Sequence, residues 1–167
     1  MASSKVPSHV TGLDNVLRNL NETIVRMRKR TVVGLIDAAK IVLDDTDKTP
    51  PLIPVDYGNL RHSRFIVSSL GNSYRNFYTF VGPQAEKIQE GHQETIAEAM
   101  EDVAQNSTEK FPLVVFGFSA FYHEWVHEMV GANFQRANSG AKYLEASMKR
   151  NKRKMIEAIR KEVRLKK

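Results

Sequence analysis

The chain has 167 residues, a formal net charge of +6 and no cysteine. This length can bury one hydrophobic core and is too short for two ordinary enzyme domains, so we expect a single domain. The lack of cysteine excludes disulfides, thiolate metal sites and thiol catalysis. No apolar run approaches the roughly 20 residues that cross a bilayer, so we expect no contact with a membrane.

The positive charge is concentrated towards the C-terminal end. Residues 142–167 contain eleven Lys or Arg and three Glu, which leaves a balance of about −2 for the rest of the chain. Such a basic segment can meet nucleic acid, an acidic protein surface or an anionic membrane, and charge alone does not choose among them.

The first predicted element is a long amphipathic helix over residues 12–44, which follows a loosely held segment, residues 1–10. Thr11 can cap the first free N–H groups, and Asp14 is placed where a negative charge meets the positive helix end. Gly34 weakens this helix by up to about 1 kcal/mol relative to Ala. Steps of three and four residues place one set of side chains on a single stripe: Leu13, Val16, Leu17, Leu20, Ile24, Met27, Thr31, Leu35, Ala38 and Val42.

A proline-rich corner, Asp45–Val67, organises the middle of the chain. Its prolines lack a backbone N–H and cannot continue the helix; they are Pro50, Pro51 and Pro54. Residues 54–63 then read Pro-Val-Asp-Tyr-Gly-Asn-Leu-Arg-His-Ser. Asp56 can accept hydrogen bonds from the turn, Gly58 allows a backbone conformation closed to other residues, and Leu60 is expected in the core.

Beyond the corner the sequence predicts a small sheet and further helices. Aromatic and β-branched runs predict a hairpin over 64–82 and a buried strand over 111–118. Residues 84–106 are predicted to form an acidic, partly helical insertion that projects from the domain. Apolar spacing predicts a short helix within 121–130 and a basic final helix over 141–164. We therefore expect an α+β fold, with a mainly antiparallel sheet of three or four strands and the long N- and C-terminal helices packed together on one face.

The clearest catalytic pattern is His-Glu-x-x-His, formed by His123, Glu124 and His127. On a helix the two His side chains can bind one zinc ion, and the Glu can act as general base on a metal-bound water. No third ligand stands at a spacing known for zinc peptidases; the candidates are His9, His62, His92 and Glu128. We favour an amphipathic segment with surface His and Glu and no cofactor, and keep a zinc-dependent hydrolase as an alternative function.

Two charged clusters have simple interpretations. Asp44, Asp45 and Asp47 lack the Gly and terminal Glu of a calcium loop and are expected to solvate a helix end. The final helix could bind a DNA or RNA backbone as a basic nucleic-acid-binding module, but no aromatic residue is interleaved, so an acidic partner or solvent is favoured. Its candidate contact residues are Lys149, Arg150, Lys152, Arg153 and Lys154. Because residues 84–106 are acidic, head-to-tail association of identical copies could close a ring.

The order of these elements and motifs resembles the tail-completion or neck proteins of long-tailed phages, typified by the lambda minor tail protein Z and its Hong Kong phage relatives. Residues 54–63 match the family pattern Pro-Val-Asp-Thr-Gly-Asn-Leu-Arg-x-Ser, except that Tyr57 stands where Thr is usual. A second family pattern, Tyr-Ala-x-Tyr-Val-Glu, aligns loosely with residues 119–128, and the Gly-Thr after its Glu is missing. The resemblance spans most of residues 12–164, apart from 84–106.

The resemblance implies a non-enzymatic virion protein, made in the host cytoplasm, that forms a ring at the head–tail junction, a hexamer in the family. The ring would join the tail terminator or tail tube protein to the head connector or portal-side neck proteins, around the channel for genomic DNA. At its subunit boundary Arg61 would reach a carboxylate of the next copy. The motif residues expected at this boundary are Pro54, Asp56, Gly58, Asn59, Leu60, Arg61 and Ser63. His123 and His127 would lie where the family carries Tyr, Val and Glu, which counts against zinc.

Overall fold

The computed structural model describes residues 13–70, 77–78, 85–108 and 111–164. In this part of the chain the elements are α1 Leu13–Asp45, α2 Asn59–His62, β1 Arg64–Ser68, β2 Phe77–Tyr78, α3 Ala85–Asn106, β3 Val114–Phe118, α4 His123–Glu128 and α5 Tyr143–Val163. The predicted loose segment, residues 1–10, and the predicted hairpin turn at residues 71–72 lie outside the described residues.

Helix α1 is buried only along its C-terminal half. Val32, Ile36, Ala39 and Leu43 recur at steps of four and three and enter the main core, where they contact residues of the sheet and of α5. The N-terminal half of the predicted stripe is exposed instead: Leu13, Val16, Leu17, Leu20, Ile24 and Met27. The reason is length, because α5 runs antiparallel to α1 and ends beside Arg30, whose Nη1 donates to the Arg164 carbonyl. About 17 residues of α1, roughly 25 Å of helix, extend beyond it.

The two long helices approach closely at Gly34. A Cβ atom on this residue would lie 2.9 Å from the Cα atom of Ile159 in α5. Nearer the other end, Ser147 of α5 donates its Oγ–H to the Val42 carbonyl of α1 at 2.8 Å. Asn151 is buried in the same contact and donates to the Ser147 carbonyl at 3.0 Å. The predicted packing of the two terminal helices is confirmed, and Gly34 is the residue that lets their backbones meet.

The sheet is antiparallel, with β1 in the centre and the strand order β2-β1-β3. Strand β1 pairs with β3 from Arg64↔Phe118 to Ser68↔Val114, and with β2 only at Phe65↔Tyr78 and Ile66↔Phe77. The predicted α+β class with a small antiparallel sheet is confirmed. The predicted extent of three or four strands is met only in part, because β2 contributes two residues.

Both faces of β1 are covered, which corrects the prediction of a projecting insertion. Ile66 joins the core formed with α1 and α5, whereas Phe65 and Val67, on the other face, pack against α3. The α3 side chains in this second core recur at helical spacing, as Ile96, Ala99 and Val103. Residues 84–106 therefore supply a layer of the fold: α3 covers one face of the sheet, and α1 with α5 covers the other. Within the described residues, no helix has the length and apolar character needed to cross a membrane.

Candidate functional site

The proline corner is fixed by arginines that converge on Asp47. Arg61 Nε and Arg136 Nη1 each donate to the Asp47 carboxylate at 3.0 Å, and Arg64 also pairs with it. Arg136 further donates to the carbonyls of Asp47 and Ile53, at 3.2 and 3.1 Å. Backbone carbonyls at a proline corner lack the hydrogen-bond donors that a helix would provide. The Arg136 guanidinium supplies donors to two of them. We call Asp47, Arg61, Arg64 and Arg136 the arginine cluster.

The charge of Asp47 is stabilised by this cluster. Its side chain is only 14% exposed, and burial alone would raise the pKa of the carboxyl. The hydrogen bonds from Arg61 and Arg136, with the charge of Arg64, outweigh burial and lower the pKa of Asp47 below its ordinary value. The interpretation of Asp47 as one of three solvated acids is therefore wrong.

Arg150 clamps the same corner from α5. Its Nε donates to Asp45 at 3.0 Å, its Nη1 to the Pro50 carbonyl at 2.9 Å and its Nη2 to the Thr49 carbonyl at 3.1 Å. Arg150 was predicted to belong to a basic contact surface; in the structure its guanidinium is engaged by these groups of its own chain. The corner is thus tied to both long helices.

Most of the predicted motif residues shape or stabilise the turn within their own chain. Gly58 has a φ of 85° and precedes α2, which explains the need for glycine. Leu60 is buried in the core as predicted, and buried Ser63 donates its Oγ–H to the Leu60 carbonyl at 2.9 Å. Asp56 is exposed, and no hydrogen bond among the described residues reaches its carboxylate, so its predicted role in the turn is not seen. Arg61 reaches Asp47 of its own chain, where a carboxylate of another copy was expected.

An apolar pocket of about 300 Å³ opens beside the motif, and we call it the motif pocket. One wall is residues 54–60; the other is formed by Tyr122, Val126 and the loop 133–135. Asn59 lies in this lining with only 5% exposure, and its Oδ1 atom has no hydrogen-bond partner among the described residues. The Oδ1 atom has almost no accessible surface, so it lies behind the pocket wall.

Exposed apolar side chains lie on the neighbouring helix α4 and on the residues just before and after it. Phe121, Trp125, Met129 and Val130 are all exposed; Trp125 lies within α4, Phe121 precedes the helix, and Met129 and Val130 follow it. We call these four residues the apolar ridge. Tyr122 and Val126, between them in sequence, turn the other way and line the motif pocket.

The His-Glu-x-x-His pattern lies on α4, but the structure brings no third ligand to it. His123 Nδ1 donates to the Ala120 carbonyl, and His127 Nδ1 hydrogen-bonds with Glu128, each at 2.9 Å. Among the described residues, no group of three or more His, Asp or Glu side chains is arranged to hold a metal ion. Of the remaining candidates, His62 lines a separate cavity next to Arg61 and Arg64, and His9 lies outside the described residues. Glu124 is exposed.

His92, the last of these candidates, joins α3 to the sheet. It is buried, and its Nδ1 donates to Ser119 Oγ, which in turn donates to the Ser63 carbonyl at 2.9 Å. Burial lowers the pKa of His92 below its ordinary value. The residue therefore fastens the α3 layer to the sheet in its neutral form.

This contact predicts a stability that depends on pH. A lowered pKa in the folded state means that the contribution of His92 is complete above about pH 6.5 and is lost as the pH falls through the folded-state pKa. Urea unfolding at about pH 7.5 and 5.5 should show a decline of at most about 1.4 kcal/mol per pH unit. His92→Gln should flatten this decline; wild type and variant that lose stability in parallel would contradict it.

The predicted basic surface of α5 is only partly free. Lys149 pairs with Glu145, and Arg153 with Glu157, both one helical turn away on the exposed surface. Lys152 and Lys154 are exposed beside them. Of the five residues predicted for this surface, Arg150 holds the proline corner, and the other four lie on the exposed face of α5.

The sequence matches no protein-family model and no curated protein, and no solved structure matches it. An apolar pocket beside exposed apolar side chains is typical of surfaces that bind other molecules.

Proposed function

We propose that this chain is a structural protein of a phage virion, without catalytic activity, that forms a ring at the head–tail junction. The carrying observation is the position of the motif that resembles the neck family. Residues 54–60 form one wall of the motif pocket, directly beside the apolar ridge. A family-like motif that lines an apolar surface pocket supports a role in assembly.

The exposed apolar surface gives further support. Besides the ridge, the N-terminal half of α1 leaves six large apolar side chains of one stripe uncovered, from Leu13 to Met27. Contiguous apolar surface on a folded chain is typical of proteins that bind other chains. Two such surfaces support binding to other chains.

The distribution of charge favours a ring over a two-fold dimer. Acidic residues of α3 (Glu94, Glu98, Glu101 and Asp102) are exposed on one side of the sheet, and the basic face of α5 is on the other. A head-to-tail contact pairs faces of opposite charge, whereas a two-fold contact through either layer pairs like charges. Head-to-tail contacts that close make rings.

In this proposal the partners are other copies of the chain, in a hexamer by resemblance, together with the tail terminator or tail tube protein and the head connector or portal-side neck proteins. The exposed Lys152 and Lys154 of α5 offer a weak contact for the passing genomic DNA. The chain would reside in the virion, at the neck.

The test is to locate the subunit in particles of the phage that encodes it. We expect purified particles to contain the chain, and a cryo-EM reconstruction to place it as a ring between head and tail. Particles made without the gene should be defective in head–tail joining, and supplying the wild-type gene in trans should restore them. Intact, infectious particles that lack the chain would rule the proposal out.

A further inference from the structure

We propose that the exposed end of α1, residues 13–27, pairs with the same segment of a second copy in an antiparallel two-fold contact. This inference goes beyond the proposed function and does not rest on it, because the contact forms between free chains in solution. The segment extends beyond the end of α5. It therefore lies outside the charged faces of α3 and α5 that a head-to-tail ring would use.

The exposed stripe of this segment has the spacing of a coiled coil. An average step of 3.5 residues keeps apolar side chains on a seam that packs against a second helix. Further along α1, the same alternating steps reach Thr31 and Gly34, and at Gly34 the seam is covered by α5. One seam is therefore covered at its C-terminal end and open at its N-terminal end. The residues of the open part, which we call the open seam, follow one another at steps of four and three: Leu13, Leu17, Leu20, Ile24 and Met27.

Helix α5 shows how this seam accepts a partner. It runs antiparallel to α1, lies against it at Gly34 and ends beside Arg30. A further helix of the same direction can continue along the seam where α5 stops. The α1 helix of a second copy supplies such a helix, with an open seam of the same length and spacing. A two-fold contact of this kind covers both open seams at once.

The charges of the segment favour the antiparallel orientation. Its first turn carries the acidic Asp14. Antiparallel pairing brings Asp14 of each copy towards the basic end of the other, whereas parallel pairing places two basic ends side by side. The basic residues of that end are Arg26, Arg28, Lys29 and Arg30.

The apolar area is sufficient for a specific but reversible dimer. The open seam and the neighbouring Val16 comprise six side chains, each 38–61% exposed. Together they offer roughly 500 Å² per copy, so a dimer would bury about 1,000 Å², the lower bound for a specific interface. We therefore expect monomer and dimer to exchange within an accessible range of concentration.

The first test is the self-association of the full-length protein. In sedimentation velocity, the mass should rise with concentration from the chain mass of 19.0 kDa towards twice that mass. Ile24→Gln should weaken this association about a hundredfold, because one substitution removes two central side chains from a two-fold contact. Protein that stays monomeric at high concentration, as it would if a different partner covers the open seam, would overturn the proposal.

Val25→Gln is the matched control. Ile24 and Val25 are both 52% exposed, but Val25 lies outside the open seam, so its substitution should leave association unchanged. Gln is a good helix former, so the far-UV circular dichroism of both variants should match that of wild type. Equal association of the two variants would overturn the contact.

A change of charge tests the orientation. Asp14→Lys puts a cation near the basic end of the partner, so association should weaken severalfold, and more at low salt than at high salt. Glu22→Lys makes the same change of charge on the opposite side of the helix and should have little effect. In a parallel dimer, Asp14→Lys would only exchange one like-charge pair for another. Unchanged association of this variant would therefore contradict the antiparallel contact.

A single spin label measures the geometry directly. The chain has no native cysteine, so Lys29→Cys provides one labelling site at the basic end. Antiparallel pairing separates the two labels by about 20 Å or more along the helix axis, whereas parallel pairing leaves them level. With the width of the helix pair added, pulsed electron paramagnetic resonance should give a distance of about 30 Å or more. Labels centred below about 20 Å would overturn the proposal.

Discussion

Asp47→Asn is expected to lower the free energy of unfolding by about 3 kcal/mol, the order of magnitude for breaking a buried ion pair. Three guanidinium groups converge on this carboxylate, which is 14% exposed, and Arg64 beside it is only 17% exposed. Removing the negative charge leaves these cations close together with little solvent to screen them. For a chain of this length, the loss corresponds to a fall in Tm of about 6–12 °C.

The matched control is Asp37→Asn. Asp37 pairs with Lys40 across one helical turn of α1, at 3.9 Å and on the exposed surface, so the change should cost about 0.5 kcal/mol or less. Urea unfolding of both variants at neutral pH makes the comparison. Equal midpoints for Asp47→Asn and wild type would show that the arginine cluster does not stabilise the corner.

The pH dependence of unfolding tests the role of the Asp47 charge independently. The pKa of Asp47 is lowered in the folded state, so its contribution is present above the ordinary carboxyl pKa and is lost as the pH falls through the folded-state pKa. The gap in stability between wild type and Asp47→Asn should therefore be constant near neutrality and narrow below about pH 4. A gap that keeps its size in acid would point to packing rather than charge.

The long elements could be predicted from the sequence because their periodicity is strong. The α1 stripe, the strand 114–118 and the basic helix α5 all follow from apolar spacing and β propensity. What spacing could not predict is which part of a stripe is covered. The N-terminal half of α1 has the same periodicity as the buried half, and it is exposed only because α5 ends beside Arg30.

The role of α3 was missed for a related reason. Its many Glu and Gln residues indicated a solvated insertion, yet a narrow stripe, Ile96, Ala99 and Val103, is enough to cover the second face of β1. The signal was in β1 itself, where Phe65, Ile66 and Val67 are all apolar. A strand without polar alternation is typical of a sheet that is covered on both faces.

The motif corner could be located by its prolines and Gly58, but its partners could not. The motif pocket combines residues 54–60 with Tyr122, Val126 and the loop 133–135, which are far away in sequence. Arg136, the organiser of the corner, was overlooked in a loop of small residues, where a lone arginine is itself a usable signal. The resemblance implied that Arg61 reaches another copy, and sequence spacing does not show that Asp47, fourteen residues earlier, is its partner.

Gly34→Leu is expected to destabilise the fold by about 3 kcal/mol, through overpacking at the crossing of α1 and α5. A Cβ atom at this position would already lie 2.9 Å from Ile159 Cα and 3.3 Å from the Ile159 carbonyl oxygen. These are backbone atoms of a long helix, so a clash cannot be relieved by a change of rotamer. The helices must separate, and the buried contact of Ser147 with the Val42 carbonyl must weaken with them.

Gly34→Ala tests whether a side chain at this position stabilises or destabilises the fold. Helix propensity alone predicts a gain of up to about 1 kcal/mol, whereas overpacking costs about 1–3 kcal/mol, so the net result should be a loss. Gly91→Ala in α3 is the matched control, because its added Cβ would meet only Phe121 Cβ, at an ordinary 3.5 Å. There the propensity gain should appear, and urea midpoints should move in opposite directions for the two variants. A gain in both would mean that Gly34 is no more than a weak point of α1, and that the closeness of the two helices is not what glycine provides.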